Sequence, residues 1–206
     1  MVRVVIVDTE TSGLPPNNAT HREIAETDEA RLIELAFVCL ESSGGSTPRT
    51  YNEIVPHATV LPESHPCQWL ATATPTTTLP VALANFVSAV CPDDNPINDA
   101  VIVGHNIQFD LRVLLAELVR IGAADDLIER IYHRPRLCTM LIAANGGKWP
   151  RLTALYERYC GVVPAVAHRA MADVESTAVC LMCLWWLGHY EILEYFGPPP
   201  GFGISP

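Results

Sequence analysis

An apolar, largely β-branched run, broken only by Arg3, extends from Val2 to Val7 and gives way at once to Asp8-Thr9-Glu10-Thr11-Ser12-Gly13-Leu14. So short a run, ended by Thr-Ser-Gly, predicts a buried central strand rather than a helix. A polar stretch rich in Pro, Asn, Thr and acids follows over 15–29, and residues 31–40 then form a second strand-like run. Ser42 to Ser46 reads as a loose hairpin connection, and 51–55 as the returning strand, closed by Pro56. Three strands with short joins predict an antiparallel meander that begins with the central strand. Pro62, Pro66 and Pro75 break any regular element in 58–78. Helical spacing returns over 80–91 (Val81, Leu83, Ala84, Phe86, Val87, Val90) and stops at Pro92 and Asp93-Asp94-Asn95-Pro96.

The second half alternates strand and helix. Residues 100–104 form a short apolar strand that leads into an amphipathic helix through Ile121, with Gly122 where a C-cap belongs. A short helix is expected over 136–144, another over 152–159, a long one from about Val166 to Leu187, and a last short one over 189–196. Gly197 to Pro206 is a Pro- and Gly-rich tail that offers nothing to a core. A meander followed by strand–helix alternation predicts an α/β protein with one mixed β-sheet flanked by helices. We expect one domain over 1–190 and a short C-terminal extension over 191–206, flexible at its Pro/Gly-rich end.

Composition narrows the class. A chain of 206 residues with 49% apolar and 17% charged residues suits one globular domain with a proper core. No apolar run reaches the ~18 residues of a membrane span, so no membrane partner is expected. The first strand starts at once, so no signal peptide is expected either. Seven cysteines without framework spacing fit reduced thiols and a cytoplasmic location. Cys180 and Cys183 form a C-x-x-C inside a strongly apolar helix, which points to packing rather than zinc. A formal charge of −10 argues against broad electrostatic capture of nucleic acid, though bound metal ions would reverse the sign at a local site.

The chemistry lies in where the acids fall. Asp8 and Glu10, two apart on a strand, point the same way. Two adjacent carboxylates repel each other and are costly to desolvate unless a divalent cation is held by both. Hard oxygen ligands suit Mg²⁺ or Mn²⁺. Asp110 stands in the first turn of a predicted helix, where the dipole favours a carboxylate, and Asp173 stands near the start of another. His168 precedes Asp173 by five residues, a spacing that puts the two on different faces of a straight helix. Both reach one cleft only if His168 lies in the loop entering the helix.

Three stretches carry a resemblance: Asp8-Thr9-Glu10-Thr11-Ser12-Gly13-Leu14, Gly104-His105-Asn106-Ile107-Gln108-Phe109-Asp110 and His168-Arg169-Ala170-Met171-Ala172-Asp173. Together they resemble the three motifs of DEDDh-class 3′–5′ exonucleases, the ribonuclease-H-like group that includes polymerase proofreading subunits and ribonuclease T. The first and third are weak alone, the second is more specific, and their order across residues 8–173 makes chance a poor account. The resemblance implies a ribonuclease-H-like sheet and hydrolysis of nucleic-acid 3′ ends to nucleoside 5′-monophosphates with two Mg²⁺ or Mn²⁺ ions. It implies Asp8, Glu10, Asp110 and Asp173 as metal ligands, with Asp8 bridging, and His168 as general base. Thr11, Leu14, His105, Asn106 and Phe109 match positions that hold the terminal nucleotide, Leu14 against the base and Phe109 near the sugar. A DNA polymerase or a single-strand-binding protein is the implied candidate partner.

Two other readings stand beside this one. An RNA-trimming relative would use the same site, and a non-catalytic nucleic-acid-binding or scaffold module would keep only the fold. Four clustered repulsive acids plus His168 weigh against the scaffold. Arg130, Arg134 and Arg136 form a small basic cluster that reads first as a solvated face and second as a phosphate contact. His57, His65 and His133 match no motif and read as surface or structural.

Overall fold

The computed structural model describes residues 3–41, 47–57, 61–92, 100–166 and 168–200. The hairpin connection at 42–46, the Asp-Asp-Asn-Pro stop at 93–96 and the end of the tail, 201–206, lie outside the described residues. Five strands form one sheet: β1 (Arg3–Thr11), β2 (Leu32–Glu41), β3 (Arg49–Ile54), β4 (Ala100–Gly104) and β5 (Arg136–Cys138). Their order is β3-β2-β1-β4-β5. The pairs β1–β2 and β2–β3 are antiparallel, and β1–β4 and β4–β5 are parallel. The mixed sheet expected from the pattern is therefore present, with β1 at its centre.

Both faces of β1 are covered, which is why its apolar run is continuous. Val5 and Val7 enter one core with helices α1 (His21–Ala25), α2 (Leu79–Val90), α3 (Ile107–Arg120) and α4 (Asp125–Tyr132). Val4 and Ile6 enter the other with α5 (Thr139–Ala144), α7 (Ala170–Trp186) and α8 (Tyr190–Phe196). Helix α6 (Leu152–Cys160) lies beside α7. Ile192 of α8 is fully buried, and Phe196 meets Trp185 edge-on with ring centroids 6.2 Å apart. No described helix is by itself long and apolar enough to cross a membrane.

Five features differ from the sequence pattern. Residues 136–138, expected to open a helix, form β5 instead, because three residues are too few to show a period and pairing with β4 decides their state. The long helix starts at Ala170, not near Val166, because His168 has left-handed backbone (φ 57°) and Arg169 is extended. Helix α4 carries buried Ile128 and Ile131 on one face. The polar stretch contains α1, whose Thr20 and Glu23 form a reciprocal capping box. A 3-10 helix, Gln68–Thr72, stands within the Pro-broken segment.

The polar stretch is held by charge as well as by packing. Glu117 of α3 is fully buried, and its Oε1 lies 2.9 Å from Arg31 Nε and 2.9 Å from an Arg120 guanidinium nitrogen. The same oxygen accepts the Leu32 amide at 3.0 Å. Arg120 also donates to the carbonyls of Ile24, Ala25 and Thr27, fastening α1 to α3. Gly13 makes this close return of the chain feasible, since a Cβ there would stand 2.4 Å from the Glu29 carbonyl oxygen. The basic cluster is likewise internal in part. Arg134 is buried, and Arg136 bonds Gln108 and the Tyr132 carbonyl while lying over the Tyr132 ring.

Removing one partner of a buried ion cluster strands the other charges, at a cost of about 3–5 kcal/mol. Glu117→Ala is expected to lower unfolding stability by that amount in a urea titration. Glu117→Gln, which keeps an acceptor for the Leu32 amide, should lose less.

Candidate active site

Alternation along β1 continues past its apolar run. Thr9 follows Val5 and Val7 toward α3, while Asp8 and Glu10 follow Val4 and Ile6 toward α7. The helix starting directly after β4 brings Asp110 in its first turn. Its Oδ1 accepts both the Thr9 amide (3.0 Å) and the Thr9 hydroxyl (2.7 Å), and the residue is only 2% exposed. Two backbone features allow that approach. A Cβ on Gly104 would stand 2.9 Å from the Ile107 Cδ1 atom and 3.2 Å from the Val7 carbonyl. Asn106, at the helix N-cap, takes a left-handed conformation (φ 70°) that Asn tolerates better than most residues.

The other side of the site comes from α7. Asp173 lies in its first turn and accepts the His168 amide on Oδ2 at 3.2 Å. His168 is in the loop entering the helix, which meets the requirement that its five-residue spacing imposed. One ligand atom each from Glu10, His168 and Asp173 lie within 4.8 Å of one another. Asp110, Asp173 and Glu10 all act on Asp8, Asp173 acts on Glu10, and Glu10 acts on Asp110.

That crowding shows in the acids. Asp8 is raised well above the usual carboxylate range, first by burial, then by Asp110, Asp173 and Glu10. Glu10 is raised to about 7, chiefly by burial, against the opposing bond from the Cys67 thiol. Burial also lifts Asp110 to about 7 despite the two bonds from Thr9. Asp173 is raised by burial, with His168 opposing.

Two members escaped the sequence reading. Glu34 of β2 pairs opposite Glu10, is 1% exposed, and accepts the Ala170 amide on Oε2 at 3.0 Å. Its signal was a lone acid inside an apolar strand. Burial raises its pKa, while the Ala170 amide and Arg169 oppose that rise. Cys67, just before the 3-10 helix, donates its thiol to Glu10 Oε2 at 2.8 Å, and burial followed by that carboxylate pushes its pKa up. Nothing local in the sequence marked it.

The residues matched to nucleotide binding are spread around this centre. Leu14 is 79% exposed. Thr11 is buried, and its hydroxyl donates to the Gly13 carbonyl at 2.7 Å, shaping the turn that presents Leu14. Phe109 is half-buried against the core, and Asn106 is exposed. His105 has both ring nitrogens engaged, Nδ1 with the Thr139 hydroxyl and Nε2 with the Pro150 carbonyl, each at 3.0 Å. A carbonyl only accepts, so Nε2 carries the proton and Nδ1 accepts from Thr139. Burial lowers the His105 pKa, keeping this neutral tautomer, while the Pro150 carbonyl opposes.

A mixed sheet with acids at the end of its central strand and at two helix starts defines the ribonuclease-H-like α/β fold of the DEDDh exonuclease class. A family model described as exonuclease matches residues 5–181, and the chain belongs to that family. Comparison with curated proteins gives no match. Among solved structures, Escherichia coli exonuclease I in complex with a dT13 oligonucleotide is similar at 18% identity and TM-score 0.64, covering 95% of this chain and 43% of that one. A further exonuclease I structure, described as suggesting how processivity is achieved, gives TM-score 0.66 at 17% identity over 95% of this chain and 43% of its own. A zinc-bound E. coli exonuclease I complex with single-stranded DNA gives 0.64 at 17%, over 95% and 42%. The chain thus spans less than half the length of these relatives.

An acid whose pKa is higher folded than unfolded binds protons more tightly when folded, so folding gains as pH drops. For Glu10 that window runs from about 7 down toward the ordinary value of 4.5. Metal-free protein should therefore melt higher at about pH 5.5 than at about pH 8. Added Mg²⁺ or Mn²⁺ should raise the melting temperature more at the higher pH. Calorimetry with and without chelator checks this, and a Glu10→Gln, Asp110→Asn variant should lose much of the difference.

Proposed function

We propose that this chain is a metal-dependent 3′–5′ exonuclease that hydrolyses phosphodiester bonds at single-stranded or frayed 3′ ends of DNA and releases nucleoside 5′-monophosphates. The observation that carries the proposal is the meeting of Glu10, His168 and Asp173 within 4.8 Å, at the strand end that also bears Asp8 and contacts Asp110. DNA as substrate is supported by the oligonucleotide and single-stranded DNA bound in the exonuclease I structures. Seven free thiols support a reducing, cytoplasmic setting.

The donor set fits the metal. Four carboxylates offer hard oxygens, and the groups acting on Asp8 among the described residues are all acids, a charge excess suited to divalent cations. Asp8, Glu10, Asp110 and Asp173 would hold two Mg²⁺ or Mn²⁺ ions, which neutralise charge developing on the phosphate and polarise its oxygens. Asp110 keeps Oδ1 on Thr9 and has Oδ2 to offer. His168 would accept a proton from the attacking water on the ring nitrogen that lies near Glu10 and Asp173. Leu14 gives the terminal base an apolar surface, with Phe109 beside the sugar and Asn106 at the rim. Thr11 and His105 serve by holding the turn and the loop that frame the nucleotide.

End-labelled DNA and RNA oligonucleotides digested with Mg²⁺ test the substrate class directly, with faster loss of DNA expected. Asp8→Ala should abolish hydrolysis while leaving the melting temperature equal or higher, because a repulsive carboxylate is removed. His168→Ala should lower kcat by about 10²–10⁴-fold. Full turnover by His168→Ala would sink the base assignment.

A net charge of −10 with Lys148 as the sole lysine gives little scope for counterion release over many phosphates. Grip should be concentrated on the last two or three nucleotides, so the protein alone should act distributively. A polymerase or single-strand-binding protein would supply processivity. Digestion of a long labelled strand with excess unlabelled trap should give a ladder of slightly shortened products and a shallow salt dependence. Complete loss of a few strands while the rest stay intact would contradict this.

A further inference from the structure

Three consecutive residues at the head of α7 are each fastened to something outside that helix. The His168 carbonyl accepts the Trp69 indole Nε1–H at 3.2 Å. The Arg169 guanidinium lies 3.6 Å from the centre of the Trp69 ring, a close cation–π contact. The Ala170 amide goes to buried Glu34. His168 has reason to need fastening: its backbone is left-handed at φ 57°, a conformation that a non-glycine residue leaves unless neighbours hold it. The 3-10 helix carrying Trp69 has a second hold on the site two residues earlier, where the Cys67 thiol donates to Glu10. Cys67 is itself set by its amide, which donates to His65 Nδ1 at 3.1 Å. One short segment thus touches both Glu10 on β1 and His168 before α7, with Leu70 anchoring it in a small core of its own beside Ile33.

We propose that this segment, Cys67 together with the 3-10 helix Gln68–Thr72, is a brace that fixes His168 relative to Glu10, with Trp69 and Cys67 as positioning residues. The inference rests on the reading of His168 as the general base and adds residues that none of the three motifs contains. Trp69 acts through the His168 backbone, so it controls where the imidazole stands and not its chemistry. Cys67 fixes the Oε2 oxygen of Glu10 without adding charge.

Trp69→Phe keeps a ring beneath Arg169 but has no donor for the His168 carbonyl. It should lower kcat about tenfold to a hundredfold, with KM and melting temperature unchanged. In a His168→Ala background the same substitution should cost nothing more, since its effect passes through the imidazole. Cys67→Ala should lower kcat, and Cys67→Ser, which retains a donor, should restore it. A readout independent of activity is the His168 ring signal in the NMR spectrum of metal-free protein, assigned by its absence in His168→Ala. That signal should shift and broaden in Trp69→Phe. An unmoved signal with full kcat, or a loss that adds to that of His168→Ala, overturns the brace. A moved signal in a protein that hydrolyses no oligonucleotide leaves the brace standing and overturns the nuclease reading instead.

Discussion

Carboxylates packed at the end of one buried strand repel each other, and the surrounding structure is arranged around that repulsion. Four of the acids are held by neutral donors: Asp110 by Thr9, Glu10 by the Cys67 thiol, Asp173 by the His168 amide and Glu34 by the Ala170 amide. Neutral donors orient a carboxylate without discharging it, so the negative charge remains for a ligand. Arg169 beside Glu34 and His168 beside Asp173 add some favourable charge, and topology adds a further favourable field. Asp110 and Asp173 both lie in the first turn of a helix, where the positive ends of α3 and α7 partly offset the crowding.

Elsewhere the chain handles charge in the opposite way. Glu117 is as buried as any acid in the site, yet Arg31 and Arg120 stand against it. The contrast separates two uses of a buried acid. One is closed on itself and fastens the polar stretch before β2 to α3, the helix that carries Asp110. The other is left open toward the cleft.

What the sequence disclosed follows the range of the interactions involved. The burial of β1 on both faces, the start of α3 after Gly104 and the acids at element ends are all set within a few residues, so pattern and spacing revealed them. Strand β5 is three residues long and owes its state to β4, which no local period could signal. Trp69 and Cys67 act on residues 99 and 57 positions away, across a segment whose prolines conceal its one helical turn. His105 illustrates a mixed outcome. Its motif drew attention to it, but its two internal bonds come from Thr139 and Pro150 and became visible only in three dimensions.

The paired bonds from Thr9 to a single oxygen of Asp110 bear on how such a domain changes over evolutionary time. Both bonds end on Oδ1, and the amide oxygen of an asparagine accepts from the same two donors. A codon change from Asp to Asn at this position needs one base, preserves the contact that joins β1 to α3, and removes a charge from the cluster. On the proposed reading of Asp110 as a metal ligand, the fold would lie one mutation from a descendant with the same shape and a silent centre, free to be retained for grip on a strand end rather than for cutting it.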